Sequence, residues 1–208
     1  MLSTPASHLL LHASSQCDVT QCQSLILEAA ANVNFHNTVG DTPLHCAVSR
    51  NALSVTELLL AYGADPNVTR GETYGGETPL HIASKLKFVQ VATCLLSANA
   101  DANIPDAFGK TPLHEAARNG DGMMLLLLLS HGAFHSPSDS CGRTPLDMAA
   151  ASNRVAAVKL LQQRVGIDNL PAPLTLKQQI EEREKRIIWR ETRVEKKKDS
   201  GKKGGKKK

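Results

Sequence analysis

The chain has 208 residues, room for one core domain and a tail, and its aromatic content of 3% requires a core of aliphatic residues and alanine. The longest apolar run, residues 123–129, falls far short of the roughly 20 residues a membrane span needs, and no basic segment leads into an apolar stretch at the start, so neither a transmembrane helix nor a secretory leader is expected. The formal net charge of +4 averages two unlike regions: residues 1–176 hold 10 Lys/Arg against 14 Asp/Glu, whereas residues 177–208 hold 14 against 6.

One tetrapeptide organises the chain. Thr-Pro-Leu-His occupies residues 42–45, 78–81 and 111–114, and residues 144–147 keep its first three letters before Asp147. The interval is constant except between the first two copies, where it is slightly longer. A period of roughly 33 residues marks stacked supersecondary units. Each copy is preceded two residues earlier by a glycine (Gly40, Gly76, Gly109, Gly142), which permits a tight turn. Pro43, Pro79, Pro112 and Pro145 suit the first turn of a helix, where a missing N–H costs nothing. Downstream comes an apolar helical run with paired leucines, then a small-residue break such as Gly63-Ala64-Asp65-Pro66-Asn67 or Asn99-Ala100-Asp101-Ala102-Asn103. Each unit therefore reads as turn, helix, short loop, helix, turn.

In chain order the units cover residues 4–36, 37–69, 73–105, 106–138 and 139–169. The first is degenerate. Its Leu9-Leu10-Leu11-His12 lacks the Thr and Pro, yet His12 precedes His45 by one full period, and Leu25-Ile26-Leu27 precedes Leu58-Leu59-Leu60 by the same interval. It is read as an N-terminal cap, with Cys17 and Cys22 as packing residues. In the second unit Thr56 and Glu57 supply polar positions of the second helix. Three extra residues between the second and third units enlarge the turn around residues 69–75. In the fourth unit residues 123–129 are apolar throughout, so Met123 and Leu126 fall where polar residues are expected. The last unit drifts toward polarity, with Asp147 for His and Gln162 for a leucine, as a C-terminal cap should.

This pattern resembles the ankyrin-repeat family. The residues that carry the likeness are the four Thr-Pro-Leu-His/Asp blocks, the paired leucines and Gly63-Ala64-Asp65-Pro66-Asn67, over most of residues 1–169. The resemblance implies an all-α solenoid of helix-loop-helix units with hairpin-like fingers. It implies that the motif histidines His45, His81 and His114 are structural, bonding the turn backbone. It also implies a concave binding face, which would carry His36, Val39, Asp41, Arg50, Tyr74, Glu77, Lys85, Phe108, Lys110, Arg118 and Arg143. The signs on that face are mixed, whereas nucleic acid demands a basic stripe. Mixed charge with Tyr74 and Phe108 suits a protein or peptide.

Other chemistry is not expected. Histidines recurring once per unit are a whole unit apart, beyond the bonds of about 2 Å that a shared metal requires. His131 and His135 are separated by Gly132, so no helix presents them together. No phosphate loop, nucleophile elbow or Cys-x-x-Cys is present, and the expectation is a non-enzyme with no cofactor and no metal. Five scattered cysteines read as free thiols of a cytoplasmic and/or nuclear protein, and the chain is expected to be monomeric.

Pro171 and Pro173 in the linker 170–173 end the repeats. Residues 174–197 read as a basic amphipathic helix with Thr175 and Gln178 spaced as a capping box; Ile180, Ile187 and Val194 form one stripe and Trp189 lies on the other side. Residues 198–208 are read as a disordered Lys/Gly tail. Met123, Leu126 and Trp189 form a second candidate patch, contacting each other by fold-back or contacting a partner. Lys196, Lys197, Lys198, Lys202, Lys203, Lys206, Lys207 and Lys208 are candidates for localisation or for a weak anionic partner, nucleic acid or membrane surface. Two rival readings follow: a nuclear, nucleic-acid-associated regulator acting through the lysines, and, ranked lower, a ubiquitin-ligase substrate adaptor. The second rests on Leu170-Pro171-Ala172-Pro173, which resembles the end of an adaptor box whose upstream part is missing.

Overall fold

The computed structural model describes residues 5–71 and 75–164. Tyr74, the linker, the helix expected over 174–197 with Trp189, and the eight C-terminal lysines lie outside the described residues.

Ten helices and no strand occur among the described residues. The first helices of the five units are α1 (Pro5–Ser15), α3 (Pro43–Ser49), α5 (Pro79–Leu86), α7 (Pro112–Asn119) and α9 (Pro145–Ala151). The second helices are α2 (Val19–Leu27), α4 (Leu53–Ala61), α6 (Val89–Ser97), α8 (Gly122–Ser130) and α10 (Val155–Arg164). First helices pack on first helices of neighbouring units and second on second, which makes two stacked layers.

Local chemistry explains each boundary. Thr42, Thr78, Thr111 and Thr144 sit in extended conformation as N-caps, and the following proline opens the helix. Each first helix of units two to five ends at an αL residue, Asn51, Lys87, Gly120 or Asn153. The N–H of the next residue then returns to a buried alanine carbonyl: Ala52 to Ala47, Phe88 to Ala83, Asp121 to Ala116, Arg154 to Ala149. Those alanines are fully buried, because two helices this close leave room only for a methyl group. The leucine column Leu44, Leu80 and Leu113 and the second-helix column Leu59, Leu95, Leu128 and Leu161 complete the aliphatic core.

The first unit is offset from the sequence register. Asp18 N–H returns to Ala13, so Ala13 takes the place of Ala47, one position off the repeat period. Leu10 then matches Leu44, Cys22 matches Thr56, and the motif slot is held by Leu11, leaving His12 exposed. The slip is absorbed after α2, where Ala31 N–H returns six residues to Leu25, against five from Ala64 to Leu59. His8 and Leu9 occupy the Thr-Pro slot, and α1 begins earlier than that slot's proline would, at Pro5 of a displaced Thr4-Pro5 pair. Two further expectations are corrected. Cys17 is exposed at φ 61 in the turn before α2, so only Cys22 packs in the core. Thr56 is fully buried, its hydroxyl donating to the Ala52 carbonyl at 2.9 Å, so of the two only Glu57 faces solvent.

Candidate functional site

The fingers, residues 37–41, 70–77, 106–110 and 139–143, run up to the four Thr-Pro blocks. In each the first N–H donates to the last carbonyl: Asn37 to Asp41, Arg70 to Glu77, Asp106 to Lys110, Asp139 to Arg143. In three of them the first side chain also accepts two turn N–H groups; Asp106 Oδ1, for example, takes those of Phe108 and Lys110 at 2.8 Å each. Among the described residues, neighbouring fingers are joined by the bonds Gly71 N–H to Val39 O, Ala107 N–H to Gly75 O and Ser140 N–H to Phe108 O. Such close approach leaves no room for a side chain at Gly40 or Gly109. A Cβ there would lie 2.2 Å from Gly71 N or 2.8 Å from Ser140 N.

The motif histidines lock fingers to helices. His81 Nδ1 accepts from the Thr78 N–H at 3.2 Å and pairs with the Thr78 hydroxyl at 2.8 Å. With Nδ1 occupied as acceptor, Nε2 carries the proton and donates to Lys110 O, 2.9 Å away in the next finger. His45 reaches Glu77 O and His114 reaches Arg143 O in the same way. Burial pushes His45 down to about 4 and lowers His81 as well, which keeps the neutral tautomer that this geometry needs. Asp147 replaces the helix-capping half of this role by accepting from the Thr144 N–H and hydroxyl. The structural role implied for these histidines is therefore what the geometry shows.

The charged residues form three separate groups. Arg70 pairs with Asp41 in the preceding finger and with Glu77 at 3.5 Å, and Lys85 holds the other oxygen of Glu77 at 2.8 Å. Glu115 lies between Lys110 at 3.8 Å and Arg118 at 3.1 Å. Arg143 holds Asp139 at 2.8 Å. The bond to Asp41 raises the Arg70 pKa, and backbone N–H donation from Arg143 lowers that of Asp139.

Of the residues expected on the binding face, the structure exposes His36, Arg50, Lys85, Phe108, Arg118 and Arg143. Val39, Asp41, Glu77 and Lys110 are half-buried, and Val39 contributes mainly its carbonyl to the finger ladder. The Lys110 ammonium stands 5.5 Å from the centre of the Phe108 ring. His36 lines a cleft of about 530 Å³ with Thr38, Val68, Thr69 and Arg70. Met123 and Leu126 are exposed on α8, while Met124, Leu125 and Leu128 are buried.

Arg70, Glu115 and Asp139 escaped the sequence reading. Arg70 had a signal. It stands one period after Asn37 and, once the three extra residues are allowed for, one before Asp106, in the slot of the turn-bonding acceptors. The enlarged finger therefore replaces an internal turn bond by ion pairs to two acids. Phe134 was also missed. It is exposed in the position held by Asp65 and Asp101, with its N–H bound to Asn103 Oδ1 at 2.7 Å.

Among the described residues, the two histidines flanking Gly132 are engaged with backbone carbonyls. His131 Nδ1 lies 3.0 Å from Leu127 O and His135 Nε2 lies 2.8 Å from Leu161 O, both on helix carbonyls. No group of three or more potential metal ligands occurs among the described residues. All five cysteines are unpaired, and burial pushes the Cys46 thiol up to about 11 and raises Cys22 and Cys94. No described helix is long and apolar enough to cross a membrane.

A family model described as ankyrin repeats (3 copies) matches residues 9–106 and 80–170. The human protein "2-5A-dependent ribonuclease" is 49% identical over 61 residues, 29% of this chain and 8% of the relative. "Ankyrin repeat and LEM domain-containing protein 1 homolog" of Caenorhabditis elegans is 42% identical over 59 residues, 28% of this chain and 8% of the relative. Human "BCL-6 corepressor-like protein 1" is 38% identical over 71 residues, 34% of this chain and 4% of the relative. The likeness thus covers less than a tenth of each of these relatives.

Proposed function

Because this chain belongs to the ankyrin-repeat family, whose repeats are generally protein–protein interaction modules on a typically non-catalytic fold, we propose that it is a non-catalytic scaffold binding a protein or peptide along its fingers and first helices. The observation that carries this reading is the division of labour at the fingers. The histidines and finger acids are consumed in holding the stack, while His36, Arg50, Lys85, Phe108, Arg118 and Arg143 are presented to solvent. Phe108 supplies an aromatic anchor. A photocrosslinking residue in place of Phe108, or alternatively of Met123, tests it in the full chain. A partner captured from position 108 supports the reading. Capture from position 123 alone overturns it in favour of a site on α8, for which the exposure of Met123 and Leu126 is the motive.

The eight C-terminal lysines are proposed to serve localisation, in the cytoplasm and/or nucleus, or a second, anionic contact. Nucleic-acid binding with steep salt dependence, abolished by deleting residues 196–208, supports the rival reading of a nucleic-acid-associated regulator; indifference to the deletion removes it.

A further inference from the structure

The six ion pairs around the fingers among the described residues share an asymmetry that mixed charge in the sequence conceals. In every one the acid is the more buried partner. Lys85, Arg118 and Arg143 are 45%, 45% and 49% exposed, while the Glu77, Glu115 and Asp139 beneath them are 14%, 8% and 1% exposed. Periodicity aligns two of these cations: Lys85 lies in the last turn of α5 and Arg118, one period on, in the last turn of α7, and α7 packs between α5 and α9. Arg143 lies just before α9. From the third unit to the fifth each of these three pairs thus sets its cation outside and its acid beneath, while Asp147 at the start of α9 is an exposed acid. Phe108 stands exposed in the finger before α7, with the Lys110 ammonium at its ring.

We propose that this face binds an acidic peptide segment carrying an apolar side chain, its carboxylates engaging Lys85, Arg118 and Arg143 and its apolar residue resting on Phe108. This rests on the finger face being the binding surface. Charge complementarity selects the occupant. Guanidinium and ammonium heads already oriented by a carboxylate behind them need little ordering to receive one in front, and Arg118 and Arg143 offer the planar fork that carboxylates fit. Nucleic acid fits less well. Phosphate backbones are bound through many basic residues along a continuous stripe, whereas this face offers three separate exposed cations, enough to pair with a few carboxylates. Residues 1–176 as a whole carry more acid than base.

Three substitutions isolate the exposed layer without dismantling the stack. In Lys85→Gln, Glu77 keeps Arg70; in Arg118→Gln, Glu115 keeps Lys110; in Arg143→Gln, Asp139 keeps the backbone N–H groups of position 143 and of Cys141. The full chain and the triple variant have the same C-terminal lysines, which cancel in the comparison. The probes are short synthetic peptides repeating Glu-Leu-Glu-Phe, Ser-Leu-Ser-Phe or Lys-Leu-Lys-Phe, and a single-stranded oligonucleotide, followed by amide chemical shifts and by anisotropy.

The expected result is that the Glu peptide binds tightest, shifts the amides of Lys85, Phe108, Arg118 and Arg143, and loses about ten-fold in affinity to the triple variant. Equal binding of the Ser peptide at the same amides overturns acid selectivity but leaves the finger face as the site. Shifts confined to Met123 and Leu126 overturn both readings. Undiminished binding of the Glu peptide by the triple variant assigns it to the C-terminal lysines and overturns the proposal, as does displacement of the peptide from these amides by the oligonucleotide. If the triple variant melts lower than the parent, Lys85→Gln alone is read, with an affinity loss again required.

Discussion

His81 Nε2 lies 2.9 Å from the carbonyl oxygen of Lys110, so an imidazole fixed at the start of one helix supports the end of the following finger. The same carbonyl also accepts the Asp106 N–H at 2.7 Å. Replacement His81→Asn retains an acceptor for the Thr78 N–H but is too short to reach Lys110. It is expected to cost about 1–3 kcal/mol in chemical denaturation, the penalty of a lost buried bond. Loss of cooperativity, with the fourth and fifth units unfolding first, would show that this bond couples units.

Stability is expected to fall in acid. Burial lowers His45 from 6.5 to about 4 and lowers His81, so between these values the unfolded chain binds more protons than the folded one. The contribution is fully present above pH 6.5 and is lost as pH falls toward about 4. His45 alone accounts for up to about 3 kcal/mol at about 1.36 kcal/mol per pH unit. Melting temperatures measured across this range test it, and His45→Asn should flatten the slope.

Two finger glycines should respond differently to alanine. Gly142 has φ 75 and open space around its missing Cβ, so Gly142→Ala meets only the backbone penalty of about 1 kcal/mol. Gly109 has φ 74, and a Cβ there collides with the Ser140 backbone. Gly109→Ala should cost about 2 kcal/mol more, because the Ser140–Phe108 bond must open. Unfolding midpoints of the two variants, compared side by side, check the difference.

Asn67 joins the second unit to the third, its side chain accepting the Asp101 N–H at 2.8 Å and donating to Asn99 O at 3.4 Å. Asn34 and Asn103 repeat the arrangement. Asn67→Ala is expected to destabilise by about 1–2 kcal/mol, read from the shift of the unfolding midpoint.

On α8, adjacent methionines separate surface from core. Met123 is exposed and Met124 fully buried. Met123→Lys should change stability by less than about 0.5 kcal/mol, while Met124→Ala should cost about 2–4 kcal/mol. A large cost at Met123 in the full chain, absent from a chain ending at residue 170, would mean that the C-terminal segment covers it.

The repeat and its helix pairs were legible in the amino-acid order because each is set within a few residues, whereas the structural role of the histidines was implied by the resemblance and includes a bond to the next finger. A threonine caps, a proline starts, and an αL position ends a first helix. In the first unit Thr4-Pro5 stands out of the motif register, so the alignment of His12 with His45 slipped by one residue, and helix packing chose Ala13 opposite Ala47 instead.

Amino-acid order alone set the period and the helix pairs, and the resemblance supplied the candidate face residues. Their depth was decided by the stack. Whether Thr56 faces water, which acid Arg70 pairs with, and that carboxylates lie below ammonium and guanidinium groups all depend on how helices and fingers of successive units pack. Local spacing encodes backbone conformation, but burial and the partner of a charge arise only when one unit is laid against the next.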